Sequence, residues 1–197
     1  ERFCIPGSSV QIHSMDVNTT QHAIVYTRAD RKVSLLKLLD QSTVDTWRTG
    51  PAMMEGVAFS PAKTFIATLG RDYSVTLWDT KNGAKLRVLS GSSERPDRKP
   101  LEGGVAISLD GSLLASIQSD AQVKVWNLDK GVPTAILSGQ PQSANVVAFS
   151  PDNKVLATGG NEGDIILWDT RNGKKTQTFP RQYGGVHAML FSPYGRL

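Results

Sequence analysis

The chain has 197 residues, of which 39% are hydrophobic and 20% are charged, a composition typical of a globular protein of one or two domains. Its net charge of +4 is too small for a nucleic-acid-binding surface unless the basic residues cluster, and no apolar run is long enough for a membrane span. The single cysteine, Cys4, excludes an internal disulfide and favours a cytoplasmic location, and the three scattered histidines predict neither a metal site nor a cofactor.

From the N-terminus onward the chain repeats itself. Each module has an apolar residue at the close of its first strand, and these marker residues recur every 42 residues apart from one interval of 48. The longer interval contains a polar stretch at residues 92–100, so a 42-residue repeat with a six-residue insertion accounts for the whole series. The markers are Val17, Phe59, Ile107, Phe149 and Phe191.

The predicted elements within each module are four short strands. Segments such as "VAFS", "VLATGG" and "DIILWD" are rich in strand-forming residues and are bounded by turn residues, and Gly83 and Gly173 are expected to take the positive φ of a tight hairpin. In chain order, the spacing predicts the fourth strand of an earlier module, four complete modules, and the first strand and turn of another: 1–7, 8–49, 50–97, 98–139, 140–181 and 182–197.

Apolar residues also recur at fixed offsets from the markers, on both faces of the predicted strands, which indicates sheets covered on both sides, as in a radial stack of blades. The motifs "VAFSP", "LATGG" and "LWDT", together with the 42-residue period, resemble the WD-repeat β-propellers over nearly the whole chain. The resemblance implies an all-β, WD-type propeller segment of about four four-stranded blades, with partial strands of a further blade at each end. Because such an arc cannot close a ring, we expect the remaining blades to come from the same, longer chain.

The resemblance also assigns structural roles. Three tryptophans end the third strands and are expected to pack between blades, and an acid stands in the tight turn between the second and third strands of each module. These residues are Trp78, Trp126, Trp168, Asp30, Asp72, Asp120 and Glu162. The first module is the weakest match, because Leu36 and Lys37 replace the Trp-Asp pair.

The family usually adds a serine or threonine and a histidine to the buried polar network of each blade. In the register expected for the hydroxyl stand Arg28, Gly70, Gln118 and Gly160, and in the register expected for the histidine stand Ser8, Gly50, Arg98, Gln140 and Gln182. No module therefore has the full set. Since a buried indole N–H without a partner costs roughly 1–3 kcal/mol, we expect Gln140, Gln182 or water to replace the missing partner.

One face of a propeller carries the turns between second and third strands together with the loops between modules; we call it the loop face. Loops carry function more often than strands do, so this face is the predicted partner-binding surface. Its candidates come from the insertion, from the position before each turn acid, and from the last inter-module loop: Arg95, Asp97, Arg98, Lys99, Arg71, Ser119, Asn161, Gln182 and Tyr183.

The opposite face carries the hairpins between third and fourth strands, and we call it the hairpin face. Basic residues in or beside these hairpins could form a strip for a phosphate-bearing partner, or could simply maintain solubility and protect sheet edges. They are Lys81, Lys85, Lys130, Arg171, Lys174 and Lys175. No aromatic residues alternate with them, so nucleic acid is an unlikely ligand.

No catalytic residue is predicted. "GGNEGD" at residues 159–164 lacks the Gly-Lys-Ser/Thr ending of a phosphate loop, and no base–nucleophile pair is apparent. The leading hypothesis is a non-catalytic scaffold that binds protein or peptide partners through the loop face, as part of a larger chain or assembly. The alternatives are a sensor or regulatory propeller attached to a catalytic module of the parent chain and, less favoured, a basic face that binds nucleic acid.

Overall fold

A computed structural model describes residues 11–38, 44–49, 53–90, 104–118, 122–139, 144–181 and 183–196. Within these ranges the regular structure consists of β-strands without helices. Blade 1 contains β1–β4, which are Ile12–Asn18, Ala23–Arg28, Lys32–Lys37 and Val44–Arg48. Blade 2 contains β5–β8, which are Met54–Phe59, Phe65–Gly70, Val75–Asp79 and Lys85–Leu89. Blade 3 contains β9–β12, which are Val105–Ile107, Leu113–Ile117, Val123–Asn127 and Val132–Leu137. Blade 4 contains β13–β16, which are Ala144–Phe149, Val155–Gly160, Ile165–Asp169 and Lys175–Phe179.

Each blade is a four-stranded antiparallel sheet whose strands pair in chain order. The first strands of successive blades, β1, β5, β9 and β13, contact one another in turn, so these strands form the inner side of the arc and the fourth strands form its rim. The all-β fold of propeller blades expected from the 42-residue period is confirmed, including blade 1, which lacks the Trp-Asp pair.

The core lies between the blades. Val57 and Phe59 of blade 2 are buried with Val25 and Val33 of blade 1 in one apolar cluster, because alternate residues of a first strand point towards the preceding blade. A second cluster joins blades 2, 3 and 4. On blade 1 the residues in register with Val57 and Phe59 are Met15 and Val17, which are 53% and 46% exposed. That side of blade 1 is therefore uncovered by the described residues.

The hairpins between third and fourth strands also join neighbouring blades. Asp79 begins one of them by accepting the Lys81 N–H at 2.7 Å, and Gly83 takes the expected positive φ of 66°. On the next blade, the Leu128 carbonyl accepts a 2.9 Å hydrogen bond from Nη1 of Arg87, on the fourth strand of blade 2. The hairpin of one blade thus rests against the outer strand of the blade before it.

The structure describes only one of the two partial modules predicted at the ends of the chain. Residues 1–7, predicted as a fourth strand, lie outside the described residues. Residues 183–196 form the expected turn, where Gly195 N–H donates to the Ser192 carbonyl at 2.9 Å, but they contain no strand. In every described blade the first strand pairs only with the second strand of its own module, and residues 183–196 include no segment in the register of a second strand with which a first strand could pair.

Candidate interaction face

The first strand of three blades begins with a β-bulge at the loop face. The ladder register skips one residue at His13 in blade 1, at Glu55 in blade 2 and at Asn145 in blade 4. Each of these residues stands four positions before its marker. A bulge re-aims a side chain and is frequent beside functional sites, so these three residues are candidates that the sequence pattern did not reveal.

The bulge residue meets the residue that precedes the turn acid of the same blade. In blade 2 the buried carboxylate of Glu55 pairs with Nε of Arg71, and in blade 4 the Asn145 amide donates to Oδ1 of Asn161. In blade 1 the turn residue is Ala29, which has no polar side-chain atom. The predicted candidates Arg71 and Asn161 are therefore held at the loop face by the bulges.

The turn acids themselves stabilise the turns. Asp72 accepts hydrogen bonds from the backbone N–H and the hydroxyl of Ser74, at 3.1 and 2.7 Å. Asp30 lies 3.0 Å from Nη2 of Arg28, and Glu162 lies 2.7 Å from Nη2 of Arg181. The described turn acids thus make contacts within the protein, Asp72 with the turn backbone and Asp30 and Glu162 with arginine side chains.

The loop after β16 folds onto the same turn of blade 4. Arg181 donates from Nε to Oδ1 of Asp164 at 3.3 Å in addition to its contact with Glu162, and the Val186 N–H donates to the Gly160 carbonyl at 3.0 Å. Between these two anchors Tyr183 is fully exposed. The loop that carries this exposed ring packs against the turn of blade 4, where a β-carbon placed on Gly185 would lie 2.8 Å from the Asn161 carbonyl oxygen.

Several predicted residues cannot be placed. The four residues of the insertion, two from the turn of blade 3 and one from the last loop lie outside the described residues: Arg95, Asp97, Arg98, Lys99, Ser119, Asp120 and Gln182.

All three module tryptophans are buried and have hydrogen-bond partners, so the expected substitution by Gln140, Gln182 or water is wrong. The partners are second-strand hydroxyls that stand two residues before Gly70, Gln118 and Gly160, the positions where the family pattern places the hydroxyl. In blade 2, Ile66 lies opposite Trp78 and Thr68 lies opposite Thr76, which makes Thr68 the diagonal neighbour of the indole. The three bonds are Trp78–Thr68 at 2.8 Å, Trp126–Ser116 at 2.9 Å and Trp168–Thr158 at 2.9 Å.

On the hairpin face three of the six basic residues of the predicted strip contact other side chains of the protein. The ammonium groups of Lys85 and Lys175 lie 5.7 and 5.3 Å from the ring centres of Trp78 and Trp168, a cation–π geometry. Arg171 lies 3.1 Å from Asp169 of the same hairpin. The Asp169 carboxylate offsets the charge of Arg171, whereas a neutral indole ring leaves the charge of a lysine in place.

The inner strands border a cleft of roughly 670 Å³ along the axis of the arc. At this cleft two side chains of β1 cover the free edge of β5: Oγ of Ser14 accepts the Val57 N–H at 3.3 Å and Oδ2 of Asp16 accepts the Phe59 N–H at 2.7 Å. Desolvation raises the pKa of Asp16 above its usual 3.8, against the opposing effect of the backbone N–H groups that it accepts.

The described residues contain no cluster of three or more side chains suited to a metal ion, and none of their segments is a helix long and apolar enough to cross a membrane. Asn18, which begins an Asn-Thr-Thr acceptor sequence for N-glycosylation, is buried and donates from Nδ2 to the Ser60 carbonyl at 3.3 Å. Its amide is therefore committed to the contact between blades 1 and 2.

The four sheets, the repeat period and the buried third-strand tryptophans define a β-propeller of the Trp-Asp type. The family model "WD domain, G-beta repeat" matches residues 48–79 and 131–169, and these two stretches support a WD-repeat family.

Several curated proteins share a stretch of 49 residues, or 25% of this chain, with it. The stretch is 43% identical to periodic tryptophan protein 2 homolog of Dictyostelium discoideum and to small ribosomal subunit protein RACK1 of Medicago sativa. It is 41% identical to telomerase protein component 1 of Rattus norvegicus. The shared stretch covers only 5%, 15% and 2% of these relatives, respectively.

Proposed function

We propose that the chain is a non-catalytic scaffold that binds a protein or peptide partner through its loop face. The observation that carries the proposal is the paired arrangement of bulge and turn in blades 2 and 4, which holds Arg71 and Asn161 at the same face while the turn acids stabilise the backbone. A preorganised site of this kind binds without the cost of ordering its loops. The relative RACK1 is named as a protein of the small ribosomal subunit, which supports a role in an assembly.

The chemistry of the exposed side chains fits a protein interface. The side chain of Arg71 is 50% exposed although its Nε is bound to Glu55, and Tyr183 is fully exposed. Arginine and tyrosine are enriched among the residues that dominate binding energy at interfaces. Arg95, Asp97, Arg98, Lys99, Ser119 and Gln182 remain part of the proposed surface on sequence grounds.

Further blades of the same chain are part of the proposal. Met15 and Val17 occupy the positions whose equivalents in blade 2 are buried against blade 1. Covering two such apolar side chains is worth about 1.5–3 kcal/mol each. We infer that another blade packs on this side of blade 1.

An intracellular location is proposed as well. The single cysteine and the buried amide of Asn18 support it. Nucleic acid is not the proposed ligand, since no aromatic residues alternate with the basic residues of the hairpin face.

The test compares the proteins that co-purify with three versions of the full-length protein, identified by mass spectrometry. The loop-face variant carries Glu55→Gln, Arg71→Gln and Tyr183→Ser, which removes the buried charge together with its partner. The matched hairpin-face variant carries Lys81→Gln, Arg171→Gln and Lys174→Gln. We expect partners of the wild type to be retained by the hairpin-face variant and lost from the loop-face variant, with equal thermal stability of all three. Loss from the hairpin-face variant alone would contradict the proposal.

A further inference from the structure

Blade 1 differs from the other blades at its loop-face end, where it has three arginines. Arg28, Arg31 and Arg48 end the second strand, occupy the turn and end the fourth strand, respectively. In the same register the other modules have no charged residue: Gly70, Tyr73 and Ser90 in the second, Gln118, Ala121 and Ser138 in the third, and Gly160, Gly163 and Pro180 in the fourth.

A pocket of roughly 270 Å³ lies between two of these arginines. Its lining consists of Ala29, Asp30, Arg31 and Arg48. In blades 2 and 4 the position of Ala29 is occupied by Arg71 and Asn161, whose side chains reach the bulge residue of their own blade. Ala29 has only a methyl group, so this position of blade 1 supplies no long side chain at the pocket.

The backbone of Arg31 is held in a conformation that disfavours its side chain. Arg31 has a φ of 63°, and the residues in the same register of blades 2 and 4, Tyr73 and Gly163, have φ values of 59° and 83°. Thr49 fixes the Arg31 carbonyl with two hydrogen bonds, from its backbone N–H at 3.2 Å and from its hydroxyl at 3.1 Å. The turn therefore takes a positive φ in each of these three blades, and in blade 1 it is an arginine that stands there, although a non-glycine residue in this region costs roughly 1–3 kcal/mol.

The charges around the pocket leave an excess of positive groups. The one carboxylate of the lining, Asp30, is already shared between Arg28 at 3.0 Å and Lys32 at 3.6 Å. Arg31 and Arg48 are exposed and form no ion pair with any residue that the structure describes.

Two further nitrogen atoms at this end of blade 1 need partners. Nε of Arg28 and Nε2 of His13 are buried and have no hydrogen-bond partner among the described residues. His13 is the bulge residue of the blade, and its strand neighbour Ile12 pairs with Arg28. The end of blade 1 is thus cationic and incompletely hydrogen-bonded.

The geometry points to an oxyanion site in this pocket, which we assign to a phosphorylated side chain of a peptide partner; the assignment rests on the proposed function, because the pocket is on the loop face. Two guanidinium groups on one pocket suit the three oxygens of a phosphoryl group, to which arginine donates parallel hydrogen bonds. A carboxylate offers fewer acceptors and carries less charge, so the site should prefer the phosphoryl group.

The test titrates the full-length protein with a blocked pentapeptide that has a central phosphoserine between alanines, and follows binding by calorimetry and by chemical shifts of the arginine side chains. The serine and glutamate versions of the peptide, and inorganic phosphate, are titrated in parallel. We expect saturable binding of the phosphopeptide and of phosphate, and binding of the serine and glutamate versions that is weaker by about tenfold or more.

Two variants remove the site without disturbing the fold. Arg31→Gly deletes the cation and relieves the positive φ, so it should be at least as stable as the wild type; Ala29→Arg fills the pocket. Both should weaken phosphopeptide binding by about tenfold or more, whereas Arg171→Ala, which removes an exposed arginine from the hairpin face, should leave it unchanged.

Three results would overturn the assignment: no binding of the phosphopeptide, equal binding of its glutamate version, or equal weakening by Arg171→Ala. The proposed function would fail separately, through loss of partners from the hairpin-face variant alone, a result that would leave phosphopeptide binding at Arg31 and Arg48 unaffected.

Discussion

A β-carbon placed on Gly83 would lie 3.1 Å from Cγ of Trp47, the tryptophan on the fourth strand of the preceding blade. The hairpin of blade 2 thus comes so close to blade 1 that its glycine has no room for a side chain. The same hairpin glycine in blade 4, Gly173, faces Ala135 and Leu137 of blade 3 at 3.3 Å. The Asn-Gly of "KNG" and "RNG" therefore serves two purposes, the turn itself and the fit to the neighbouring sheet.

Gly83→Ala should lower the free energy of unfolding by about 2–4 kcal/mol, since it combines a strained positive φ with a contact against the indole. Urea unfolding followed by circular dichroism measures the change. Gly139→Ala is the matched control: Gly139 also has a positive φ, of 91°, but the nearest side chain is the flexible end of Lys175. The free energy of unfolding should fall less in Gly139→Ala than in Gly83→Ala. Equal decreases in the two variants would show that the contact with Trp47 is not the cause.

Thr68→Val should destabilise the protein by about 1–3 kcal/mol, because it leaves the buried indole N–H of Trp78 without its acceptor while preserving the shape of the side chain. The free energy of unfolding is measured in urea with tryptophan fluorescence. Thr76→Val, on the facing position of the next strand, is the control, as the structure shows no hydrogen bond from its hydroxyl to a described residue. If the control were as costly as Thr68→Val, the loss could not be assigned to the indole.

The pH dependence of stability should carry a contribution from Asp16. Burial raises the pKa of this carboxyl above its usual 3.8, so the folded chain holds the proton more tightly than the unfolded chain does. The contribution of Asp16 is therefore fully present below the unfolded pKa and is lost as the pH rises through the folded pKa.

Unfolding free energies measured from about pH 4 to about pH 7 should accordingly fall more steeply for the wild type than for Asp16→Asn. Asp152→Asn gives the opposite sign, because the Ser150 hydroxyl and the Lys154 N–H lower the pKa of Asp152. Stability from Asp152 is present above the unfolded pKa and is lost as the pH falls through the folded pKa. Identical slopes for the wild type and Asp16→Asn would contradict the assignment to Asp16.

Met15 should resist oxidation in the full-length protein if another blade covers that side of blade 1. Peroxide treatment followed by peptide mass spectrometry should show oxidation of Met15 as slow as that of Met54, which is 5% exposed. If no further blade covers blade 1, the exposed thioether of Met15 should instead react at the rate of a free methionine. Fast oxidation of Met15 would refute the covering blade.

The sequence was sufficient for the features that repeat. The spacing of Phe59 and Phe149 from the third-strand residues Trp78 and Trp168 follows from the strand lengths, which the apolar pattern records directly. For this reason the four sheets, their order and the hairpins at Gly83 and Gly173 agree with the prediction.

The features that the sequence did not reveal depend on local departures from the repeat pattern. A β-bulge adds one residue without changing the repeat length, so nothing in the period marks Glu55 or Asn145 as re-aimed. Thr68 lies diagonally across the β-ladder from Trp78, two residues before the position where the family pattern places the hydroxyl. The pocket of blade 1 is lined by Ala29, a position at which blades 2 and 4 have the longer residues Arg71 and Asn161, and this difference is seen only when the blades are compared.

The dependence of each outer strand on the next hairpin sets an order of events during translation. Trp47 emerges from the ribosome well before Gly83, so blade 1 can pair its strands early but cannot enclose its outer tryptophan until most of the next repeat has been synthesised. Each newly made blade therefore secures its predecessor, and a nascent chain that stalls within a repeat leaves its last complete sheet open to chaperones and proteases.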